Sequence, residues 1–322
     1  MVGLTMKQVK YTIAYYLPCL LNFITKKSAR RLKVSASRYF VDIVDDIRQQ
    51  RLRLSRKNTV FILDMLNFFD YYYSSAKPFT QKIDKVIYKV VDFSTPRLHE
   101  IIGFDDFPIL CPTLAEPFIT TQQYMEFAAL AEGDVVFDLG AYCGLTAISF
   151  SKAVGPTGQI IAIEPDPLNY PAAKANISRH EHINKLQNIS LMNCAAGRSS
   201  KIIQFSSEGT MGSADISIVG RGRGDVVDVR CLPLSEIAEA HNLSRVDFVK
   251  MDIEGAEEDV LRGAEIFLKV FRPKLMVEPH IVQGVLSTDV VVKILHSYGY
   301  QVEIVPQFGV DLPLIQAVYT PL

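Results

Sequence analysis

The run V-V-F-D-L-G-A-Y-C-G, Val135 to Gly144, decides the fold. A short apolar stretch from Asp134 ends at Leu139, glycines follow at Gly140 and Gly144, and an apolar helix-forming segment, Leu145 to Ala153, comes next. Strand, tight glycine turn and helix in that order form the opening unit of an α/β sheet, whose ligand lies at the carboxyl ends of the strands. Glycines in such a turn let the backbone bend sharply and let a ligand approach without a side chain in the way. The chain contains no G-x-x-x-x-G-K-[ST], which argues against a triphosphate. Tyr142 stands where G-x-G-x-x-G needs its middle glycine, so a dinucleotide pyrophosphate fits less well than a ligand without phosphate.

On the carboxyl side the alternation of strand and helix continues. Strands are expected at Gln159–Ile163, Asn188–Asn193, Val246–Met251, Lys274–Val277, Tyr300–Val305 and Ile315–Tyr319, with helices at Glu257–Leu268 and Thr288–Ser297. Asp166 and Pro167 read as the cap and first residue of a further helix. Lys201–Phe205 and Val226–Arg230 read as local strands around a glycine-rich insertion. This pattern calls for a mostly parallel sheet covered on both faces.

On the amino side the pattern is looser. Residues 1–60 carry 13 Lys or Arg against 3 Asp, a formal +10 that leaves −11 for the remainder of the 322-residue chain. They read as a basic, partly apolar helical arm, with a helix at Ser37–Lys57 on the spacing of Phe40, Ile43, Val44, Ile47 and Leu54. Such an arm can dock on the acidic body, face a membrane surface or meet a nucleic acid. The apolar segment Tyr11–Thr25 is shorter than the roughly 20 residues of a spanning helix and contains Pro18; a segment lying in a membrane interface is one reading of it. Residues 61–115 form a mixed, aromatic-rich subdomain or linker, and 116–322 the main domain, with a first helix at Thr121–Leu130. No basic stripe with interleaved aromatics marks the main domain, which argues against specific nucleic-acid binding. The five cysteines form no C-x-x-C pair, so a cytoplasmic, reducing location is the simplest reading, with membrane association left open by the arm.

Two crevices collect the chemistry. In the first, Glu164 ends the second strand, 24 residues beyond Gly140, where a carboxylate accepts hydrogen bonds from both ribose hydroxyls of an adenosine cofactor. In the second, V-D-F-V-K-M-D-I-E-G-A-E places Lys250, Asp252 and Glu254 where the fourth strand meets its helix, and V-E-P-H places Glu278 and His280 at the end of the fifth. Glu257 and Glu258 suit the first turn of a helix, which capping alone explains. Asp252, Glu278 and His280 together can serve as a general base toward an acceptor hydroxyl or can hold Mg²⁺ or another divalent metal. An imidazole with an ordinary pKa near 6.5 suits accepting a proton. The insertion Gly209–Ile216, with G-R-G-R-G after it, reads as a lid or as an exposed connection.

From about Phe118 to Tyr319 the sequence resembles the FkbM family of S-adenosylmethionine-dependent methyltransferases. The resemblance rests on G-D-V-V-F-D-L-G-A-Y-C-G, V-G-P-T-G-Q-I-I-A-I-E-P-D-P, the Gly209–Ile216 loop, V-D-F-V-K-M-D-I-E-G-A-E with L-R-G-A, and R-P-K-L-M-V-E-P-H, in that order. It implies a Rossmann-like class I methyltransferase fold: a seven-stranded, mostly parallel sheet whose last strand is antiparallel, with helices on both faces and an amino-terminal helical or mixed extension. It implies S-adenosylmethionine contacts at Asp138, Gly140, Ala141, Tyr142, Gly144, Glu164 and Pro165. Near the acceptor, a sugar or other small hydroxylated molecule or glycan, it implies Asp252, Glu254, Glu278 and His280; Lys250 joins Asp252, Glu278 and His280 as a catalytic candidate on its place beside Asp252 in the strand. Tyr142 and Cys143 replace the family's asparagine and aliphatic residue, and the family's Tyr-Glu pair before the first helix is not matched by Phe118 to Gln123. A nicotinamide oxidoreductase would lack the third glycine; a catalytically silent scaffold would keep the fold and tolerate loss of Asp252 or His280.

Overall fold

The computed structural model describes residues 32–220, 224–310 and 312–320. The chain divides into two compact units, Met1–Pro96 and Arg97–Leu322.

The first unit opens with a three-stranded antiparallel sheet, β1 (Leu32–Ala36), β2 (Phe40–Asp45) and β3 (Gln50–Ser55). The helix expected at Ser37–Lys57 is therefore two strands. The carboxylate of Asp45 accepts the amides of Ile47 and Arg48, and Gln49 takes a φ of 54°, so the chain turns where a helix would continue. After the turn, R-L-R-L-S buries Leu52 and Leu54 and points the arginines away, a period of two. Helices α1 (Ile62–Asn67) and α2 (Phe69–Ser74) carry the aromatic stretch, with Phe69 and Tyr72 buried as core. A hairpin, β4 (Phe79–Ile83) and β5 (Val86–Val90), completes the unit. The apolar segment Tyr11–Thr25 and the rest of 1–31 lie outside the described residues. No helix among the described residues is long and apolar enough to cross a membrane.

The second unit begins earlier than the expected residue 116. Hairpin β6 (Arg97–Ile101) and β7 (Phe104–Cys111) joins it because Ile101, Phe104, Ile109 and Cys111 share a buried cluster with Cys143, Leu145 and Ile148. Next come α3 (Phe118–Ala128), β8 (Val135–Leu139), α4 (Leu145–Val154), β9 (Gln159–Ile163), α5 (Asn169–Asn184) and β10 (Ile189–Met192). A small sheet follows, made of β11 (Ala195–Ala196), β12 (Lys201–Ser207), β13 (Ala214–Asp215) and β14 (Asp225–Leu232), with α6 (Ile216–Val219) between the last two. The rest is α7 (Leu234–Ala240), β15 (Phe248–Met251), α8 (Glu257–Gly263), α9 (Glu265–Phe271), β16 (Lys274–Val277), the short pair β17 (Ile281–Val282) and β18 (Val285–Leu286), α10 (Thr288–Ser297), β19 (Tyr300–Pro306) and β20 (Pro313–Tyr319).

The main sheet has seven strands in the order β10-β9-β8-β15-β16-β20-β19, and β20 alone runs antiparallel to its neighbours. All seven strands fall where the sequence placed them. Alternate residues explain why these strands are apolar throughout: Phe137, Leu139, Ile161, Val249 and Met251 pack under one layer of helices, and Val136, Ile160, Ala162, Phe248 and Met276 under the other. One expected helix, Glu257–Leu268, is broken into α8 and α9. A Cβ on Gly263 would stand 2.5 Å from the Cα of Arg198, so a glycine sits at that crossing and the helix stops there. The order reverses between β8 and β15, and that switch point opens the crevice at the carboxyl ends of the strands.

Candidate active site

Gly140 leaves β8 with a φ of 80°, and a Cβ there would lie 1.9 Å from the carbonyl oxygen of Asp252. Glycine at 140 is thus what lets the β8 and β15 loops touch. The amides of Gly140 and Ala141 both donate to the carbonyl of Ile163 at 3.0 Å. Tyr142 adopts a left-handed φ of 48°, uncommon for a large side chain. Its hydroxyl donates to the carbonyl of Leu114 at 2.6 Å and its amide to Glu164 Oε2 at 2.7 Å, which hold it there. Asp138 is fully buried, accepts the Thr146 hydroxyl at 2.6 Å and lies 3.4 Å from Lys250 Nζ.

Glu164 closes β9. It accepts the amides of Tyr142 and Asp166 at 2.7 and 2.9 Å, and burial pushes its pKa up to about 8. Asn169, also buried, keeps its Oδ1 without a hydrogen-bond partner among the described residues. Asp166 caps the turn that leads into α5 as expected, its carbonyl accepting the Tyr170 amide at 2.9 Å and its carboxylate the Leu168 amide at 2.7 Å, but capping is only part of its role. Its carboxylate accepts the amides of Leu168, Glu208 and Gly209 and the hydroxyls of Ser207 and Ser213, all within 3.0 Å. The glycine-rich insertion is consequently pinned over the end of β9 by one buried carboxylate. Asp166→Asn would replace one acceptor oxygen by a donor facing other donors, so we expect cofactor affinity to fall about ten-fold or more with the fold intact. Calorimetry on the folded variant checks this; unchanged affinity would show that the insertion forms no part of the cofactor wall.

A cleft of about 800 Å³, counted to its open mouth, joins these groups; Gly140, Tyr142, Glu164, Asn169, Glu116 and Asp252 line it. Glu116 escaped the sequence reading. It stands immediately before Pro117, which precedes α3, and is the one acidic residue between Asp106 and Glu126. That isolation in a proline-punctuated stretch was the available signal. Burial raises its pKa to about 7 against the pull of Lys250. The cleft fits an adenosyl sulfonium: a carboxylate for the ribose, an unsatisfied amide oxygen, a backbone without a side chain at 140, and the acids Glu116 and Asp252 for a cation.

The second crevice gathers Asp252, Glu278 and His280, which can each offer a donor atom within 4.8 Å of the others. His280 Nδ1 lies 2.9 Å from Glu257 Oε1, and its Nε2 lies 3.6 Å from oxygens of both Asp252 and Glu254. Burial opposes the charge on the ring, but Glu254 and Glu257 outweigh it and hold the pKa well above its ordinary value. The expectation of a base titrating near 6.5 therefore does not fit: His280 already carries the proton that a base must accept. Glu278 receives the hydroxyl of Tyr124 at 3.1 Å and the amide of Gln307 at 2.9 Å, two partners the sequence did not suggest, and burial pushes its pKa up to about 8. Lys250 is 2% exposed and donates to the carbonyl of Gly140 at 2.7 Å, while Asp138 and Asp252 stand 3.4 and 3.6 Å away. Burial disfavours its charge, yet Asp138 and Asp252 keep it protonated far above neutral pH. Neither Lys250, Glu278 nor His280 lines the cleft; Asp252 does.

These shifts share one sign. Glu116, Glu164 and Glu278 hold their protons to about pH 7, 8 and 8 in the folded chain against 4.5 ordinarily, so the folded state binds more protons than the unfolded one between those values. His280, raised above 6.5, adds in the same direction above that pH. Stability of the ligand-free protein should fall as pH rises from about 5 to 8. Thermal melts across that range test this, and a flat or rising Tm would contradict it.

Sheet order, antiparallel last strand and the glycine-and-carboxylate crevice define a class I, S-adenosylmethionine-dependent methyltransferase. The sequence profile described as "Methyltransferase FkbM domain" matches residues 138–302, just over half of the chain. The chain belongs to the FkbM methyltransferase family. It is 24% identical over 197 residues to the 31-O-demethyl-FK506 methyltransferase FkbM of Streptomyces tacrolimicus, covering 54% of this chain and 75% of that one. It is 25% identical over 188 residues to Methyltransferase 1 of Beauveria bassiana, covering 50% and 73%. Among solved structures, FkbM from Methylobacillus flagellatus aligns with a TM-score of 0.44 at 20% identity over 61% of this chain, which spans 50% of that protein.

Proposed function

We propose that this protein transfers a methyl group to a hydroxyl oxygen of a small acceptor, such as a sugar, and that Asp252 receives the acceptor's proton. The observation that carries the reading is the position of Asp252: its backbone abuts Gly140, its carboxylate is 24% exposed, and it lines the same cleft as Glu164. When bound, S-adenosylmethionine supplies an electrophilic methyl group on a sulfonium cation. Glu164 holds the ribose hydroxyls, Asn169 Oδ1 offers an acceptor, and Glu116 and Asp252 offset the cation. The acceptor hydroxyl would hydrogen-bond to Asp252, which would align its lone pair and take its proton as the methyl group passes from sulfur to oxygen, the carbon–sulfur bond breaking to leave a neutral thioether. The relative from Streptomyces tacrolimicus is named for methylation at an oxygen, which supports an oxygen acceptor here.

A divalent metal is the weaker reading of Asp252, Glu278 and His280. A metal ligand must be a neutral imidazole with a free lone pair, and both ring nitrogens of His280 face carboxylates. Dialysis against EDTA should leave the rate unchanged; loss of activity restored by Mg²⁺ would reinstate the metal.

Incubation with methyl-labelled S-adenosylmethionine and a panel of hydroxylated and amine acceptors tests the main reading. Label on an oxygen supports it, whereas label found only on amine acceptors would sink it. Glu164→Ala should weaken cofactor binding by about 1 to 3 kcal/mol in calorimetry, the cost of leaving buried ribose hydroxyls without a partner. Unchanged affinity would take the ribose away from Glu164.

A further inference from the structure

The amino-terminal unit carries a surface that methyl transfer does not use. In hairpin β4–β5, Lys82 pairs with Ile87 and Ile83 with Val86 across the strands. Its turn residues Asp84 and Lys85 have φ values of 47° and 71°, two consecutive positive values of the kind that match strand twist and make a firm hairpin. At the root, Val90 is buried and Tyr88 packs on Phe40 with ring centroids 4.9 Å apart. The far end is bare: Val86 is 49% and Ile87 68% exposed.

Charge surrounds these aliphatic side chains. Lys82, Lys85 and Lys89 are exposed and make no ion pair among the described residues, and Asp84 is the one acid between Phe79 and Val90. The bridge joining Leu54 to Val91 is parallel, so β3 and β5 run in the same sense. The turn before β3 consequently lies toward the same end of the unit as the hairpin tip, and it presents Ile47 at 76% exposure.

We propose that this end of the unit is a membrane-contact surface: Ile47, Val86 and Ile87 enter the headgroup boundary of an anionic bilayer while Lys82, Lys85 and Lys89 pair with its lipid phosphates. The charge pattern selects lipid over a protein groove. Lysine is depleted where proteins contact each other, whereas an anionic leaflet attracts lysines without needing fixed partner positions. Two separate turns tipped with β-branched aliphatics at one end of the unit can both dip into one planar interface. Stable peripheral attachment takes two signals, apolar insertion and basic attraction, and both occur here within eight residues. This surface is distinct from Tyr11–Thr25, which stays intact in every variant below.

Co-sedimentation of the full chain with phosphatidylcholine vesicles, with and without about 30% phosphatidylserine, tests the proposal. The parent chain should pellet with the anionic vesicles and far less with neutral ones. Lys82→Glu with Lys85→Glu and Lys89→Glu should lower the partition coefficient roughly a hundred-fold, from a contribution of about five-fold per lysine. Val86→Ser with Ile87→Ser should release the protein with every charge left in place. Because all five side chains are exposed, circular dichroism and Tm should match the parent, and methyl transfer to a soluble acceptor should be unaltered. A parent chain that stays in solution with anionic vesicles, or variants that pellet as the parent does, would overturn the proposal.

Discussion

Asp252→Asn is expected to slow methyl transfer by about 100-fold or more, close to 2.7 kcal/mol of barrier, while cofactor affinity stays within a few fold. Asparagine keeps the size of the side chain and can still touch the acceptor, but it cannot take a proton. Its neighbours cannot easily replace it. His280 is held protonated by Glu254 and Glu257, Lys250 is held protonated by Asp138 and Asp252, and Glu278 points its Oε2 into bonds from Tyr124 and Gln307. Among the other carboxylates lining the cleft, Glu116 has a pKa raised to about 7 and feels the charges of Lys250 and Asp252, so the residual rate of the variant should rest on it. Single-turnover rates beside calorimetric affinities separate the two effects. If affinity collapses with the rate in a folded variant, Asp252 belongs to the cofactor and the acceptor base must be sought at Glu116 or Glu278.

The sheet was legible because its strands are buried on both faces and its punctuation is local. Val135 to Gly144, the stretch ending at Glu164 and the stretch ending at Lys250 each announce a strand end by composition alone, and all seven strands lie where those signals fall. What composition cannot express is how a side chain is surrounded. The sequence shows only the intrinsic pKa of His280, whereas Glu254 and Glu257, 26 and 23 residues away, decide its charge. Asp166 reads as a cap from the proline that follows it and does accept the Leu168 amide, but its further partners from Ser207 to Ser213 lie some 40 residues on and become neighbours only after the insertion folds back. Ser37 to Lys57 failed for another reason. Five apolar positions satisfied a helical spacing, while the turn chemistry of Asp45 and the alternation R-L-R-L favoured strands over the same residues. Glu116 shows the limit of motif matching, since its value comes from facing Lys250, Asp252 and Asp138 rather than from any spacing around it.

Lys250→Met should destabilise the protein by about 3 to 5 kcal/mol, a fall in Tm of roughly 10 °C for a domain of this size. The ammonium is the counter-charge for Asp138, which is fully buried and otherwise holds only the hydroxyl of Thr146. It also ties the carbonyls of Leu139 and Gly140 at 3.3 and 2.7 Å, fixing the turn at the end of β8. Methionine fills much of the volume but leaves Asp138 charged, dry and unpaired, and removing one member of a buried pair costs far more than removing both. Asp138→Asn with Lys250→Met should therefore recover a large part of the loss. This test distinguishes two tasks for Lys250. A lysine that carried protons would, when replaced, cost rate with little stability and remove a limb of the pH profile; a lysine that holds the turn costs stability first, with the profile of the residual activity unchanged. A loss below about 1 kcal/mol, or no recovery in the double variant, would mean that Asp138 finds its compensation elsewhere and that the turn stands without its buried cation.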